Sequence, residues 1–129
     1  NIVGFGKAAD MALVRQNEYT RRLSPIDAAA RALFANEAGL ELLGDARNHI
    51  PGLLSVIVRG DMFDNERFIQ KVGDRYAISS GSACTANEPS HVLQAIGRPE
   101  ETSRVLRISL SETSSVDDVK RLIDLLKNF

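Results

Sequence analysis

The sequence predicts an α+β fold in which a small mixed or antiparallel sheet packs with helices. Three observations carry this: apolar residues recur at helical spacing through the first third of the chain, the segments Leu53–Arg59 and Arg104–Leu110 have strand character, and the closing stretch bears a helical apolar stripe. No internal repeat or linker divides the chain, and 129 residues suffice for one domain to bury a core without metals or disulfides.

From Val3 to Leu23, Phe5, Ala8, Ala9, Ala12 and Leu13 predict a first helix after Gly4 and Gly6. Ser24, Pro25 and Asp27 read as the N-cap, first-turn proline and early acidic residue of a second long helix, ending near Gly44. Pro51 and Gly52 mark a turn. The strand Leu53–Arg59 follows, where Val56, Ile57 and Val58 favour extended chain, and Gly60 and Asp61 end it before a short helix over Asn65–Val72.

Arg75–Ser79 predicts a second strand that runs into the small-residue segment Ser79–Ala86, a mobile or tightly turned loop. Pro89, Val92, Leu93 and Ile96 predict a short helix stopped by Gly97. In the third strand, Arg104–Leu110, side-chain alternation puts Leu106, Ile108 and Leu110 on one face and Arg107 and Ser109 on the other. The last helix starts at Ser114 or Ser115, with Asp117 and Asp118 in its first turn and Val116, Val119, Leu122, Ile123 and Leu126 as its buried stripe. Such a sheet is left exposed on one face.

Composition narrows the function classes. Hydrophobic residues at 43% and charged residues at 26% fit an ordinary globular domain rather than a disordered one. Sixteen basic residues against seventeen acidic give a net charge of -1, which argues against direct nucleic-acid binding. One cysteine forms no internal disulfide, and no apolar stretch approaches the ~18 residues of a membrane span, so a soluble, reducing, cytoplasmic setting is expected. The chain begins without Met or a secretory signal and reads as a cut end.

Cys84 lies among glycine, serine and alanine rather than on an apolar stripe, a placement that favours access; the ordinary alternative is a small buried hydrophobe. Arg107, opposite a hydrophobic strand face, could hold a carboxylate through two parallel hydrogen bonds; the ordinary alternative is a solvated surface arginine. His49 and His91 with one cysteine lack the paired spacing of a zinc site, so no metal is expected, and His91 reads as a helix-surface or capping residue. Gly4 and Gly6 complete neither a dinucleotide fingerprint nor a phosphate loop.

The run Tyr76–Gly97, YAISSGSACTANEPSHVLQAIG, resembles the active-cysteine segment of the cysteine desulfurases, in the class V aminotransferase group of pyridoxal-phosphate (PLP) enzymes. RVLRISLSETSSVDDV resembles the family's arginine strand and following helix, and NIVGFGKAADMAL looks like the helix that opens its small-domain region. The segment between Cys84 and Pro89 is a little shorter than in long-loop members, and Ser111 stands where glycine is common.

The resemblance implies the C-terminal domain fold of the fold-type I PLP-dependent transferases, with residues 1–129 forming one domain of a longer enzyme. It implies that Cys84 takes sulfur from L-cysteine, leaving L-alanine and an enzyme persulfide, and that Arg107 clamps the substrate carboxylate. The persulfide would feed an iron-sulfur scaffold or another sulfur-acceptor protein, from an enzyme that is a homodimer. The Schiff-base lysine and the PLP-binding large domain would precede Asn1, since Lys7, Lys71, Lys120 and Lys127 lie in no matching motif. The chain alone is therefore expected to lack turnover and tightly bound PLP. Two other readings stay open: a stand-alone module that accepts a persulfide or docks a partner, and a selenocysteine lyase or other class V PLP enzyme.

Overall fold

The computed structural model describes residues 1–60, 62–80 and 90–129. In chain order the elements are α1 (Ile2–Ala35), β1 (Leu40–Leu43), β2 (Leu53–Val58), α2 (Asn65–Val72), β3 (Ile78–Ser79), α3 (His91–Ala95), a 3-10 turn (Pro99–Glu101), β4 (Val105–Ser109) and α4 (Val116–Lys127). Among the described residues the strands form one antiparallel sheet in the order β1-β2-β4-β3.

The two long helices expected at the start are one. Pro25 lies inside α1, and Ser24, read as an N-cap, instead donates its hydroxyl to the Thr20 carbonyl at 2.7 Å. Proline removes one backbone donor, but Leu23, Asp27, Ala30 and Phe34 are buried along the helix across that point, and their packing holds the two halves in line. Residues 1–22 are exposed, so only the last third of this helix, about 51 Å long at 1.5 Å per residue, contributes to the core.

The helix also ends sooner than the sequence suggests, and Leu40–Leu43, expected to be its last turn, is strand β1. Gly39, at φ 83°, turns the chain in the left-handed region, and the segment then pairs with β2 from Leu40 opposite Val58 to Leu43 opposite Ser55. Leucine and glutamate favour helix in isolation. A ready strand partner outweighs that preference here.

Alternation divides the sheet into two faces. Leu40, Leu42, Leu54, Val56, Val58, Ile78, Leu106 and Ile108 meet Ala30 and Phe34 of α1, Phe68 and Val72 of α2, and Val119, Leu122, Ile123 and Leu126 of α4. This is the main core, and α4 joins it with Val119, Leu122, Ile123 and Leu126 of the expected stripe, while Val116 in its first turn is only half-buried. The helix is started by a reciprocal cap, in which the Ser115 hydroxyl accepts the Asp118 N–H and the Asp118 carboxylate accepts the Ser115 N–H. On the other face, Ile57 and Val105 are covered by Leu93 of α3, with Leu43 at the margin. Leu53, Arg107 and Ser109 of that face are exposed.

At Gly52 a left-handed backbone and close neighbours coincide. Gly52 has φ 83°, and a Cβ there would stand 2.5 Å from Leu23 Cδ2 and 3.1 Å from the Leu110 carbonyl oxygen. Gly52→Ala combines a left-handed residue with overpacking, so a loss of about 2 kcal/mol is expected in a urea melt. An unchanged midpoint would show that the Pro51–Gly52 turn can be rebuilt without strain.

Candidate functional site

Arg107 occupies the middle of β4 and is exposed on the sheet face opposite the main core. Strand register sets Ser55 of β2 opposite it on one side and Ser79 of β3 opposite it on the other. Cys84 lies outside the described residues. The chain enters that segment from β3, beginning just after the strand that opposes Arg107, and re-emerges at Ser90, whose hydroxyl accepts the Leu93 N–H and caps α3. Leu93 packs on Ile57 and Val105, one row along from Arg107 on the same face. Topology thus ties both described flanks of the cysteine segment to the arginine face.

Two polar clusters, neither foreseen from the sequence, fix the strands and turns around Arg107. Asp27, expected to serve a helix N-terminus, is instead a buried acceptor at 3% exposure. It receives the Gly52 N–H at 2.8 Å, Arg31 Nε at 2.9 Å and a ring nitrogen of His49 at 2.8 Å, while Arg31 also donates to the Leu53 carbonyl. The cluster pins the first residue of β2 to α1. Burial by itself would raise the Asp27 pKa, but the hydrogen bonds from Gly52, Arg31 and His49 outweigh it and hold the carboxyl below its usual 3.8.

A folded-state pKa below the unfolded one stabilises the fold fully above the unfolded value, and the contribution is lost as pH falls through the lowered folded pKa. Acid titration of folding should show such a loss below about pH 4, and Asp27→Asn should flatten it. Asp27→Ala leaves Arg31 and the Gly52 N–H without their acceptor and should cost about 3 kcal/mol by chemical denaturation. A variant with wild-type stability would remove the cluster from this account.

The second cluster joins β1, the end of β2 and the turn after α3. Glu41 accepts from Arg98 at 2.7 Å and from Arg59, which also pairs with the buried Glu101. Hydrogen bonds from Arg59 and Arg98 lower the Glu41 pKa. Asn65, itself buried, donates its amide to the Thr102 and Val105 carbonyls at 2.8 and 2.9 Å. The 3-10 turn that follows α3 is therefore held by side chains from distant strands and from α2. Residues 18 to 57 positions apart meet here only after folding, and no local spacing announces them.

His49 serves the Asp27 cluster, and His91 is exposed on α3, so the two histidines do not converge. Among the described residues, no group of three or more His, Cys, Asp or Glu could hold a metal ion, and no helix is long and apolar enough to cross a membrane. The four lysines are exposed. Lys7 is exposed on the first half of α1, Lys71 stands 5.1 Å from the Phe129 ring centre, Lys120 pairs with Asp117 and Lys127 with Glu37. The last three are carried by α2 and α4, on the core side of the sheet.

No protein-family model matches the chain. Among curated proteins, it is 31% identical over 129 residues to "Cysteine desulfurase IscS" of Ruthia magnifica, covering 98% of this chain and 31% of that protein. It is 33% identical to "Cysteine desulfurase" of a Frankia strain, with 97% and 30% covered. The chain spans about a third of the length of these relatives. Among solved structures, a NifS-like protein from Rickettsia africae matches with a TM-score of 0.78 at 21% identity, covering 98% of this chain and 33% of that one. The sugar aminotransferase CalS13 of Micromonospora echinospora matches less closely, at a TM-score of 0.57. These likenesses establish the fold, a small antiparallel sheet with helices as found in NifS-like proteins and aminotransferases.

Proposed function

For a chain homologous over nearly its whole length to about a third of the cysteine desulfurases, we propose the role of their C-terminal small-domain part, which supplies the sulfur-accepting thiol and the substrate-carboxylate clamp. The full-length protein removes sulfur from L-cysteine to give L-alanine. In that step the carbon–sulfur bond of the substrate breaks, and a sulfur–sulfur bond forms on Cys84. The persulfide passes to an iron-sulfur scaffold or another acceptor protein, and the full-length enzyme works as a cytoplasmic homodimer.

The observation that supports this reading best is the place of Arg107, exposed in mid-strand opposite Ser79, with Cys84 five residues further along the chain than that serine. That interval spans at most about 18 Å even when fully extended. A guanidinium binds a carboxylate by two parallel charge-assisted hydrogen bonds. That bound on chain length supports a reading in which Cys84 and Arg107 serve one site.

PLP supplies the electron sink for breaking the carbon–sulfur bond in these enzymes. The lysines of this chain do not fit it: all four are exposed, and three of them are engaged with Phe129, Asp117 and Glu37. We assign the cofactor to the remainder of the full-length protein. Purified chain mixed with PLP and L-cysteine should release no sulfide, and turnover would place the cofactor lysine within it.

The assignment of Cys84 is tested by incubating the full-length protein with L-cysteine and mapping persulfide by peptide mass spectrometry. The added sulfur is expected on the peptide containing Cys84. Its appearance only on another cysteine would overturn the assignment.

A further inference from the structure

We propose that residues 90–103 form a latched unit that opens from the sheet while the main core stays closed, its release governed by two ion pairs, Arg98 with Glu41 and Arg59 with Glu101. The unit comprises α3, the 3-10 turn and the residues up to β4. It lies downstream of the segment that carries Cys84, but its release does not depend on the roles proposed for Cys84 and Arg107.

Burial within the unit is sparse. Of residues 90–103 only Leu93 and Glu101 are buried, and Val92 and Ile96 are 56 and 54% exposed. Leu93 meets Ile57 and Val105 in a cluster separate from the main core. By comparison, α4 buries Val119, Leu122, Ile123 and Leu126. Hydrophobic stabilisation grows with the apolar area buried, so one leucine holds the unit more weakly than four residues hold α4.

The unit's other anchors among the described residues are polar. Arg98 donates to Glu41 of β1 at 2.7 Å, and Arg59, just past β2, pairs with Glu101. Asn65 donates its side-chain amide to the Thr102 carbonyl at 2.8 Å and its backbone N–H to the Ser103 carbonyl at 2.9 Å. Arg59 also pairs with Glu41, so the two ion pairs share a link and loosen together. The side chains of Arg59, Glu41 and Arg98 are 37 to 39% exposed. Ion pairs this open to solvent are weak and are screened by salt. Glu101 is the buried member, and its Oε2 has no hydrogen-bond partner among the described residues. An unpaired buried carboxylate oxygen is unfavourable, and hydration on opening relieves it.

The test is hydrogen exchange of the full-length protein, read by mass spectrometry on peptides spanning residues 90–103 and residues 116–127. A five-residue helix does not persist off the sheet, so opening leaves its amides free to exchange. The first peptide should exchange at least about a hundredfold faster than the α4 peptide. Glu41→Gln, a substitution outside the core, should speed the first peptide about fivefold and leave α4 unchanged. Raising the salt from about 0.05 M to about 1 M should act in the same direction on the wild type, where no variant has to fold. Equal exchange in the two peptides, or acceleration of both together, would mean that the unit opens only with the whole domain. A first peptide that exchanges fast but ignores either Glu41→Gln or salt would mean that the ion pairs are not its latch. Each of these results overturns the proposal.

Discussion

Cys84→Ser in the full-length protein is expected to abolish persulfide formation, lowering sulfur transfer from L-cysteine at least about a thousandfold. The reason lies in the nucleophile. A thiol ionises within reach of neutral pH and its thiolate attacks sulfur well, whereas a serine hydroxyl stays protonated and is a poor nucleophile toward sulfur. This is the only cysteine in the chain, so no second thiol of this domain can substitute for it. The measurement is sulfide release under reducing conditions, alongside L-alanine affinity as a control for an intact substrate site. Substrate affinity should be retained. Sulfur delivery at the wild-type rate would remove Cys84 from the reaction.

The second large effect is expected at Arg107. Arg107→Ala should lower kcat/KM for L-cysteine about a hundredfold, because a two-pronged charge-assisted contact to the substrate carboxylate is lost. Arg107→Lys should recover only part of this, since an ammonium keeps the charge but not the planar fork. Folding should change little, within about 0.5 kcal/mol, because the side chain is exposed on a strand whose core contacts come from Leu106 and Ile108. A large stability loss with unchanged kinetics would mark Arg107 as a structural residue instead. Together the two substitutions separate chemistry from substrate holding.

Much of the fold was legible because its signals are local. Alternation in Val105–Ser109 sends Leu106 and Ile108 into the core and leaves Arg107 outside, as read from the sequence. Asn65–Val72 is a helix with the expected bounds, capped by Asp64, and α4 buries Val119, Leu122, Ile123 and Leu126. The second strand is shorter than expected, reduced from Arg75–Ser79 to Ile78–Ser79, because Arg75 and Tyr76 bond back to the end of α2 through the Val72 carbonyl. Pro25 misled for a related reason. A proline after a serine is a helix-start signal only where no tertiary packing carries the helix through it.

The candidate site divides along the same line. Arg107 and Cys84 stood out by residue type, strand phase and the resemblance of SSGSACT to the desulfurase segment. The alignment of Ser55, Arg107 and Ser79, the Asp27 cluster beneath β2 and the Glu41–Arg59–Glu101 chain beside α3 had no local signature.

By itself, then, the sequence determined the α+β class and the faces of β4 and α4, while the proposed roles of Cys84 and Arg107 come from its resemblance to the desulfurase segments. The class and the two faces depend on side-chain type and on a period of two or 3.6 residues, which neighbours along the chain impose. The tertiary structure decided that α1 runs unbroken through Pro25, that Leu40–Leu43 is a strand, and which side chains flank Arg107. Those outcomes turn on partners 12 or more positions away, whose pairing and burial outweigh local preferences of a fraction of a kilocalorie per residue.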